Sequence, residues 1–421
     1  MADPIFIRNG TILTMEADSS VIENGSLLIE NGEIRALGPN GSMAMPSRAR
    51  VIDAAGCVVM PGLVNCHTHL PMSLFRGLAD DLPLDVWLFE HIFPAEAKEI
   101  NPGSVQKWAR HSCEELLLSG TTCCCDGYFH GDEVAGAALG AGIRIVAGQG
   151  IIDFPAPGVP DPKKNVATAV EFVHRWRGRS PLVMPSIFCH SPYTCSGATL
   201  VAAKQAARDL GVLFQIHGAE TGAETSKIPE CGGRSVVEYL DDLGIIDETT
   251  LLVHCVWIDD SDIAIIKKRG AGVAHCGESN MKLASGIAPV PGMMDAGIPL
   301  GLGTDGSASN NNLDLFQEMD MVSKLHRVAC SDPGVMTAQQ VVTLATLGGA
   351  RALGLDRKIG SLTRGKRADI ILVNLKKPHL VPVYNPFVSL VHGAKGSDVT
   401  HVMVAGRIRV ENGKLTARDR L

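Results

Sequence analysis

The sequence predicts an α/β protein: a (β/α)8 TIM-like barrel accompanied by a small β-sandwich domain that both ends of the chain form together. Eight apolar runs alternate with segments of helical spacing in the middle of the chain, whereas hairpin signals mark its two ends. The 421 residues, 45% of them hydrophobic, suffice to bury a large core. We expect the sandwich domain to comprise residues 1–58 and 362–421, and the barrel to comprise residues 59–361.

The two ends of the chain have the alternation of short strands. Near the start stand IFIRNGTILTM and SLLIENGEIRALG, and near the end stand ADIILVNL and THVMVAGRIRVENGKLT. Apolar and polar residues alternate around Asn-Gly pairs, which is typical of β-hairpins. Two β-rich ends around a different middle predict one small sheet domain built from both.

In the middle of the chain, apolar runs alternate with segments of helical spacing. Its runs rich in apolar, Gly or β-branched residues are CVVMPGLVNC, GTTCCCDGY, IRIVAGQGI, PLVMPSIFC, GVLFQIHG, TLLVHCV, GAGVAHCG and IPLGLGTDG. Helical segments such as VQKWARHSCEELLLSG and ATLVAAKQAARDLG separate them. Runs this apolar fit parallel strands that are covered on both faces. An open doubly wound sheet is the alternative, and the count of eight favours the barrel.

Composition excludes several classes of protein. With 38 basic against 45 acidic residues, the net charge of −7 argues against a dedicated nucleic-acid binder. No apolar run reaches the roughly 18 residues that a membrane-spanning helix needs, and MADPIFIRNG lacks the pattern of a secretory signal. The 12 cysteines, three of them adjacent at 123–125, suit reduced thiols better than disulfides. We therefore expect a soluble cytoplasmic protein without nucleic-acid or membrane partners.

Polar and ionisable side chains recur where these runs end, and a barrel places its chemistry at the carboxyl ends of its strands. In chain order they are His67, His69, Asp126, Gln149, His190, His217, His254, Glu278 and Asp305. A single buried histidine is most often a satisfied core residue. Five histidines in this arrangement are hard to explain by packing, so we expect an active site at this end of the barrel.

Within that set, His67 and His69 indicate a metal site most clearly. Residues two apart on a strand face the same side, so both imidazoles can reach one metal ion. With His217 and Asp305 as further ligands, the set is rich in nitrogen and has one carboxylate, which suits a single divalent ion. Zn2+ is the first expectation, and ligand types alone do not distinguish it from Fe2+ or Mn2+. Such an ion lowers the pKa of a bound water towards neutrality.

Other polar residues near the expected ligands have alternative explanations. Glu220 follows His217 by three positions, where it can move protons without being a ligand; alternatively it is a carboxylate favoured at a helix start. His254 ends the sixth run. The alternative to a catalytic role is a histidine that only hydrogen-bonds to one of the metal ligands. We expect His275 to be structural, because the four ligands already complete a site.

GLGTDG at 301–306 satisfies the G-x-G-x-x-G pattern of dinucleotide-binding proteins. Such a site requires a helix that begins at once and an acidic residue about 20 positions later in a compact βαβ unit. Here SASNNN follows the glycines, and the run is the eighth rather than the first. The pattern therefore does not favour a nicotinamide-dependent dehydrogenase, and the glycines more plausibly let the backbone approach a ligand.

Longer motifs carry a resemblance that covers nearly the whole chain. They are PGLVNCHTHLPMSLFRGLADDLPLDVWLFEHIFPAE, HSPYTCS, HGAE, ESNMKLASGIAPVP, GTDGSASNNNLD and IGSLTRGKRADIILVN. They resemble the amidohydrolase superfamily, and most closely its branch of methylthioadenosine/S-adenosylhomocysteine deaminases. Triazine hydrolases and guanine-type deaminases share the same scaffold.

The resemblance implies a reaction and a role for each matching residue. The reaction is hydrolytic deamination at C6 of a 5′-modified adenine nucleoside by metal-activated water, giving the inosine analogue and ammonia. His67, His69, His217 and Asp305 would hold one divalent metal ion, and Asp305 would also accept a proton from the water. Glu220 would protonate the ring nitrogen, and His254 would orient the attacking water.

The resemblance also implies residues that bind the substrate. Glu96 in HIFPAE matches the residue that binds the ribose hydroxyls, although a surface carboxylate is the alternative. His190 matches a histidine that contacts the nucleoside. Trp87 matches a wall of the same pocket, with a core position as its alternative.

Two positions depart from the branch. Gly277 stands where proline is usual, in the loop after the seventh run. Gln149 stands where some members have an arginine, which weakens the case for holding the amino-acid tail of S-adenosylhomocysteine and favours methylthioadenosine or another uncharged 5′-modified adenosine. No lysine ends a strand where relatives with two metals have one, which favours a single ion.

Two alternatives to the deaminase stay open at this point. One is an amino- or chlorohydrolase acting on a triazine or another N-heterocycle, since the same activated water would serve it. The other is a non-catalytic assembly protein, which the full set of ligands disfavours. Large barrels of this kind often self-associate, so a homo-oligomer is also an expectation.

Overall fold

The computed structural model describes residues 3–16 and 20–416. Residues 1–2, 17–19 and 417–421 of the predicted sandwich domain lie outside the described residues. The strands are β1 (Ile5–Leu13), β2 (Val21–Glu30), β3 (Glu33–Pro39), β4 (Arg50–Asp53), β5 (Cys57–Pro61), β6 (Leu63–Thr68), β7 (Thr121–Tyr128), β8 (Arg144–Ile151), β9 (Val183–Cys189), β10 (Phe214–Gly218), β11 (Thr250–His254), β12 (Gly272–His275), β13 (Leu300–Leu302), β14 (Ile370–Asn374), β15 (Val399–Val404), β16 (Arg407–Glu411) and β17 (Lys414–Leu415).

The helices lie mainly between the barrel strands. The α-helices are α1 (Leu84–Val86), α2 (Phe93–Glu99), α3 (Pro102–Leu118), α4 (Gly131–Ala141), α5 (Asn165–Trp176), α6 (Gly197–Leu210), α7 (Val236–Asp242), α8 (Asp260–Arg269), α9 (Gly277–Lys282), α10 (Val290–Asp295), α11 (Ser307–Asn310), α12 (Leu315–Cys330), α13 (Ala338–Thr343), α14 (Gly349–Ala352) and α15 (Pro386–His392). Turns of π-helix span Trp87–Ile92 and Leu344–Gly348, and turns of 3-10 helix span Leu70–Phe75, Pro162–Lys164, Glu224–Lys227, Pro229–Cys231, Pro378–Leu380 and Gly396–Asp398.

The predicted barrel is confirmed. Strands β6 to β13 pair in chain order, each parallel to the next. After β13, the backbone N–H of Asp305 donates to the carbonyl oxygen of His67 at 3.0 Å, which joins the last strand segment to the first. The strands are buried on both faces because helices cover the outside, which explains why their sequences are continuously apolar.

Both ends of the chain form one mixed sheet, as the hairpin signals predict. Within the described residues its order is β17-β16-β15-β14-β5-β1-β2-β3, with β4 beside β1. Strand β14 alternates its side chains between two cores: Ile371 and Val373 join the core shared with the barrel, whereas Ile370 and Leu372 join a second cluster on the other face. The division into two domains at the predicted boundaries stays a proposal.

The first apolar run contains two strands rather than the single barrel strand that we predicted. Its first half is β5, which pairs with β14 in the terminal sheet, and its second half is β6 in the barrel. Gly62 separates them, and a Cβ at this position would meet the side chain of Thr122 at 2.1 Å. The correction follows from tertiary pairing, because both halves are equally apolar in the sequence.

A buried ion pair connects the sheet with the barrel. Arg144 at the start of β8 donates from Nε and Nη2 to the two carboxylate oxygens of Asp369, at 2.8 and 3.0 Å. The backbone N–H of Ala405 also donates to Asp369, at 2.7 Å. The side chains of Arg144 and Asp369 are only 4% and 2% exposed, so solvent screens this pair very little.

The site described below lies at the carboxyl ends of the barrel strands, under the segment from Leu70 to Glu99. That segment contains the 3-10 turn Leu70–Phe75, α1, the π-helical turn Trp87–Ile92 and α2. Across the described ranges, no helix has both the length and the apolar character that crossing a membrane requires.

Candidate active site

Three imidazoles converge above the barrel interior. Nε2 of His67 lies 3.2 Å from Nε2 of His69 and 3.0 Å from Nε2 of His217. His67 lies in β6, His69 follows directly after the last residue of that strand, and His217 comes from β10. The ligand atoms of these three side chains lie close enough to hold one metal ion.

The protonation of these rings suits metal binding. Nδ1 of His69 donates to the carbonyl oxygen of Gly127 at 2.6 Å, which leaves the lone pair of its Nε2 directed at the centre. Burial lowers the pKa of His67 to about 4 and also lowers the pKa of His69 and of His217. Three neutral imidazoles with converging nitrogens form the donor set that Zn2+ prefers in proteins.

Asp305 lies beside the imidazoles. Its Oδ1 is 3.6 Å from Nε2 of His67 and 3.4 Å from Nε2 of His69. Its Oδ2 accepts hydrogen bonds from the hydroxyl groups of Ser279, at 2.7 Å, and Ser309, at 3.1 Å. Although burial opposes ionisation, the neighbouring His67 and His69 hold the pKa of this carboxyl well below its usual range, so Asp305 is an anion.

The backbone of Asp305 has a φ of 61°, and that of His254 has a φ of 77°. A left-handed conformation is uncommon for residues with a side chain, and it is found most often where the surroundings fix a functional group. In both cases the residue follows or ends a barrel strand, and the turn directs its side chain over the barrel.

Glu220 and His254 face each other next to this cluster. Oε2 of Glu220 lies 3.7 Å from Nε2 of His254. Nδ1 of His254 donates to Oδ1 of Asn280 at 2.9 Å, so its Nε2 is directed at the carboxylate. Burial raises the pKa of Glu220, which favours the protonated form of this carboxyl group.

His69, His217, Glu220, His254 and Asp305 line one cavity of about 680 Å³, a volume that includes space open to solvent. It is lined by His69, Met72, Leu84, Trp87, Leu88, Ile92, Phe93, Glu96, Gly127, Tyr128, Phe129, Gly150, Ile151, Phe188, His190, Tyr193, His217, Glu220, His254, Leu283, Asp305 and Ser309. Its walls are aromatic and aliphatic with a few polar groups, which is typical of a site for a small organic molecule.

Glu96 lines this cavity from α2. The hydroxyl group of Tyr128 donates to Oε1 of Glu96 at 2.5 Å. Burial raises the pKa of Glu96 to about 7, and the hydrogen bond from Tyr128 partly opposes this. Trp87, from the π-helical turn, is 6% exposed and lines the same cavity.

His190 lies between the imidazoles and the aromatic wall. Its ring centroid is 5.1 Å from that of His217 and 5.7 Å from that of Phe93. Its Nδ1 lies 2.9 Å from the hydroxyl of Thr194, so the other ring nitrogen is free to meet a ligand in the cavity. Burial lowers the pKa of His190 to about 3, so the ring is neutral.

Comparison with known proteins supports a relationship along the whole chain. A model of the amidohydrolase family matches residues 58–409. The chain belongs to the amidohydrolase family. It is 45% identical to a 5-methylthioadenosine/S-adenosylhomocysteine deaminase of Syntrophobacter fumaroxidans, over 98% of this chain and 94% of the relative. It is 42% identical to a 5′-deoxyadenosine deaminase of Methanosarcina acetivorans, over 100% of this chain and 95% of the relative.

A solved structure is also similar. The crystal structure of an adenosine deaminase from Xanthomonas campestris with bound zinc superposes with a TM-score of 0.95 at 35% identity, covering 99% of this chain and 95% of that one. In this amidohydrolase the cluster of His67, His69 and His217 therefore fits a zinc ion both in its donor atoms and by relationship.

Not every polar strand end that the sequence singles out reaches the cavity of this amidohydrolase. Oε1 of Gln149 accepts from the backbone N–H of Gly131 at 2.9 Å, and its Nε2 donates to the carbonyl oxygen of Gly150, so its amide is occupied at the start of α4. Because β8 continues to Ile151, the residues after Gln149 line the cavity instead. Gln149 is therefore not among the cavity residues.

Asp126 and Glu278 also lie outside the lining. Oδ1 of Asp126 accepts from the backbone N–H of Leu70 at 2.6 Å, and burial raises its pKa to about 7. Oε2 of Glu278 accepts from Asn312 at 3.2 Å, and Oε1 accepts from Gln317. Both carboxyl groups therefore hydrogen-bond to segments around the site, and neither lines the cavity.

Several residues of this amidohydrolase site are not singled out by the sequence. Ser279, Ser309 and Asn280 hold Asp305 and His254 through the bonds described above. Glu224 is 1% exposed, and its Oε2 accepts from the backbone N–H of Glu220 at 2.8 Å. The polar pair at 279–280, directly after an apolar run, is the signal that could have found two of them.

Proposed function

We propose that this amidohydrolase catalyses the hydrolytic deamination of 5′-modified adenosines, with release of ammonia and formation of the inosine analogue. The observation that carries the proposal is one cavity that joins an imidazole cluster suited to zinc, a buried acid at Glu220 and a second buried acid at Glu96. The names of the relatives, which act on 5-methylthioadenosine, S-adenosylhomocysteine and 5′-deoxyadenosine, support the same substrate class.

The residues around the imidazole cluster have different roles in the reaction. His67, His69, His217 and Asp305 would hold one divalent ion, which would lower the pKa of a bound water. Asp305, an anion fixed by two serine hydroxyls, accepts a proton from the attacking water. His254, fixed by Asn280, orients that water with its Nε2.

Glu220 supplies the proton that the heterocycle needs. Burial raises the pKa of Glu220 and so favours its protonated form, from which the carboxyl group would donate a proton to the ring nitrogen next to C6, so that negative charge does not accumulate on the ring. Asp305 then passes the proton taken from the water to the leaving amino group, and the hydroxyl proton on C6 returns to Glu220, so that ammonia leaves and both carboxyl groups regain their starting states.

Glu96 supports a nucleoside over a bare heterocycle. A carboxylate that already accepts a bond from Tyr128 has further lone pairs for the two ribose hydroxyls. His190 and Trp87, with the aromatic residues beside them, provide flat walls for the adenine and the ribose. A triazine has no hydroxyl pair to satisfy this carboxylate, so the triazine alternative is less well supported.

The 5′ group remains within an apolar part of the cavity. No Lys or Arg is among the described residues that line it. Uncharged 5′-modified nucleosides, namely 5′-methylthioadenosine and 5′-deoxyadenosine, are therefore the first substrates that we propose, followed by adenosine. A charged tail such as that of S-adenosylhomocysteine would have to extend to the mouth.

The first experiment is an ultraviolet assay for loss of the adenine chromophore. Zinc-loaded protein is given adenosine, 5′-deoxyadenosine, 5′-methylthioadenosine and S-adenosylhomocysteine side by side. We expect turnover of 5′-methylthioadenosine, and we expect Glu220→Gln to lower kcat by about 100-fold or more while retaining zinc. Glu230→Gln, an exposed carboxylate of the same loop, is the matched control. Parental turnover by Glu220→Gln, or no turnover of any nucleoside by the zinc-loaded parent, would refute the proposal.

Two further proposals concern the state of the protein. We propose a reducing cytoplasmic environment, supported by the 12 cysteines, all described and none in a disulfide. We also propose self-association, supported by exposed apolar side chains such as Val328, at 79%, and Tyr384, at 93%. Light scattering from purified protein would test the second, and a monomer would refute it.

A further inference from the structure

An ion pair lies next to residues that line the cavity. Nζ of Lys227, at the end of the 3-10 turn Glu224–Lys227, contacts Oδ1 of Asp85 in α1. The side chains of Lys227 and Asp85 are 26% and 48% exposed, respectively. The pair is therefore partly open to solvent, and it joins the 3-10 turn to α1.

The immediate neighbours of the pair line the cavity. Leu84, which precedes Asp85, is a lining residue, and Nζ of Lys227 lies 5.1 Å from the ring centroid of Tyr193, another lining residue. Both charges also act on Glu220: Lys227 lowers its pKa and Asp85 raises it, although burial is the larger influence. A ligand that fills the cavity and extends outwards would meet this pair first.

The chemistry of the pair is complementary to a zwitterion. An α-amino acid carries one carboxylate and one ammonium group on the same carbon, and Lys227 and Asp85 present the opposite charges side by side. A partly exposed ion pair contributes little to stability, so its two members can change partners at low cost. Each would form a charge-assisted hydrogen bond with its new partner.

Other candidates for holding such a group are placed less well. Gln149, the position where an arginine is expected in some relatives, is occupied at the start of α4. Lys282 reaches Asp80 at 3.4 Å and Asn311 at 2.9 Å, whereas Lys227 lies against the ring of Tyr193, which lines the cavity.

We propose that Lys227 and Asp85 form a subsite for the zwitterionic amino-acid end of a 5′-thioether substituent, with Lys227 binding the carboxylate and Asp85 binding the ammonium group. The subsite rests on the proposed function, because it places the nucleoside in the cavity with its 5′ group directed to the mouth. S-adenosylhomocysteine is the substrate of that class which relatives are named for.

The test compares two substrates in each variant. The measured quantity is the ratio of kcat/KM for S-adenosylhomocysteine to kcat/KM for 5′-methylthioadenosine, which does not depend on the fraction of folded protein. We expect Lys227→Met and Asp85→Asn each to lower this ratio by about tenfold or more, and Lys227→Arg to restore most of it. Lys282→Met removes another partly exposed lysine that is paired with an aspartate; it is the matched control and should leave the ratio within about twofold of the parent.

An analogue of S-adenosylhomocysteine that lacks the carboxylate separates the two charges. We expect its kcat/KM, relative to that of 5′-methylthioadenosine, to fall in Asp85→Asn and to stay unchanged in Lys227→Met. If both substrates lose rate equally in Lys227→Met and Asp85→Asn, the pair only closes the mouth and the subsite is refuted. If the parent deaminates no nucleoside, the proposed function fails instead, so the two failures are distinguishable.

Discussion

At the scale of single residues, Glu96 illustrates how burial changes the chemistry of a carboxyl group. Burial raises its pKa from 4.5 to about 7, even though Tyr128 donates to it. The folded protein therefore keeps a proton on Glu96 at pH values where the unfolded chain has released it. Between these two pKa values, unfolding becomes more favourable as the pH rises.

Glu96→Gln should remove this dependence. Relative to the parent, we expect the variant to gain about 1.4 kcal/mol of unfolding free energy for each pH unit from about pH 5 to pH 7, and nothing more above it. Thermal unfolding of both metal-free proteins across this range measures the difference. Tyr128→Phe, which keeps the carboxyl group, is the control and should retain the dependence. A Glu96→Gln difference that is constant with pH would contradict the assignment.

The site was predictable from the sequence where local geometry determines it. His67 and His69 share a face because a strand has a period of two, and their position after an apolar run placed them at the top of a barrel. Gln149 was placed at a strand end by the same reasoning, but β8 runs two residues further and turns its amide towards Gly131. Asn280 acts through a contact with His254, which ends the neighbouring strand β11, and the polar character of residues 279–280 is the only local sign of that role.

At the scale of elements, helix α9 fixes two active-site residues at once. Ser279 donates to Asp305, and Asn280 accepts from His254. The helix begins where the carboxylate of Glu318, a fully buried residue of α12, accepts from the backbone N–H of Glu278 at 3.2 Å.

Gly277 adds a second backbone N–H to Glu318, which the proline usual at this position could not donate. A Cβ on Gly277 would also meet Val322 at 2.6 Å and Glu318 at 3.1 Å, so this chain packs α12 closely against the start of α9. The departure noted in the sequence thus has a local structural reason. Glu318 acts as a positioning residue for the helix.

Glu318→Ala should disturb the site through α9. We expect both kcat and zinc affinity to fall by about tenfold or more, with Glu318→Gln recovering part of the loss. Chelator competition on the zinc-free protein measures the affinity independently of turnover.

Ser323→Ala is the matched control for that prediction. It removes a buried hydrogen bond from α12 to the carbonyl oxygen of Met336, which lies outside α9. It should lower Tm without changing kcat. If Glu318→Ala also lowers only Tm, its role is limited to stability.

The elements themselves were largely predictable. Continuous apolar runs and helical spacing identified the eight barrel strands. Strands that are buried on both faces are apolar throughout, so they are easy to recognise in the sequence. The exception is the first run, where β5 and β6 differ only in their partners, β14 and β7. The strand with which β5 or β6 pairs is decided by contacts between distant parts of the folded chain, and the local sequence of the segment does not determine it.

At the scale of the whole molecule, the pair of Arg144 and Asp369 connects the terminal sheet to the barrel. Removing one member of a buried ion pair leaves the other charge without compensation. We expect Asp369→Asn to lower the free energy of unfolding by about 3 kcal/mol or more, while kcat at low temperature stays close to that of the parent.

The exposed pair of Arg175 and Asp132 provides the comparison for that prediction. Their side chains are 45% and 42% exposed, so Arg175→Gln should cost less than about 1 kcal/mol. Thermal unfolding of the two variants tests the contrast. Equal losses would mean that burial does not govern the contribution of the Arg144 pair.

The pairing of β5 with β14 has a consequence for how the protein is made. Pro61 lies opposite Ile370, and the whole barrel is encoded between them. On the ribosome, the barrel strands emerge before β14 exists, so the nascent chain must keep the apolar edge of β5 and the cation of Arg144 uncovered for as long as the barrel takes to be synthesised. Contacts between such distant positions also form slowly. Completion of the terminal sheet is therefore expected to be the late step of folding, and the stage at which chaperones would protect the chain most.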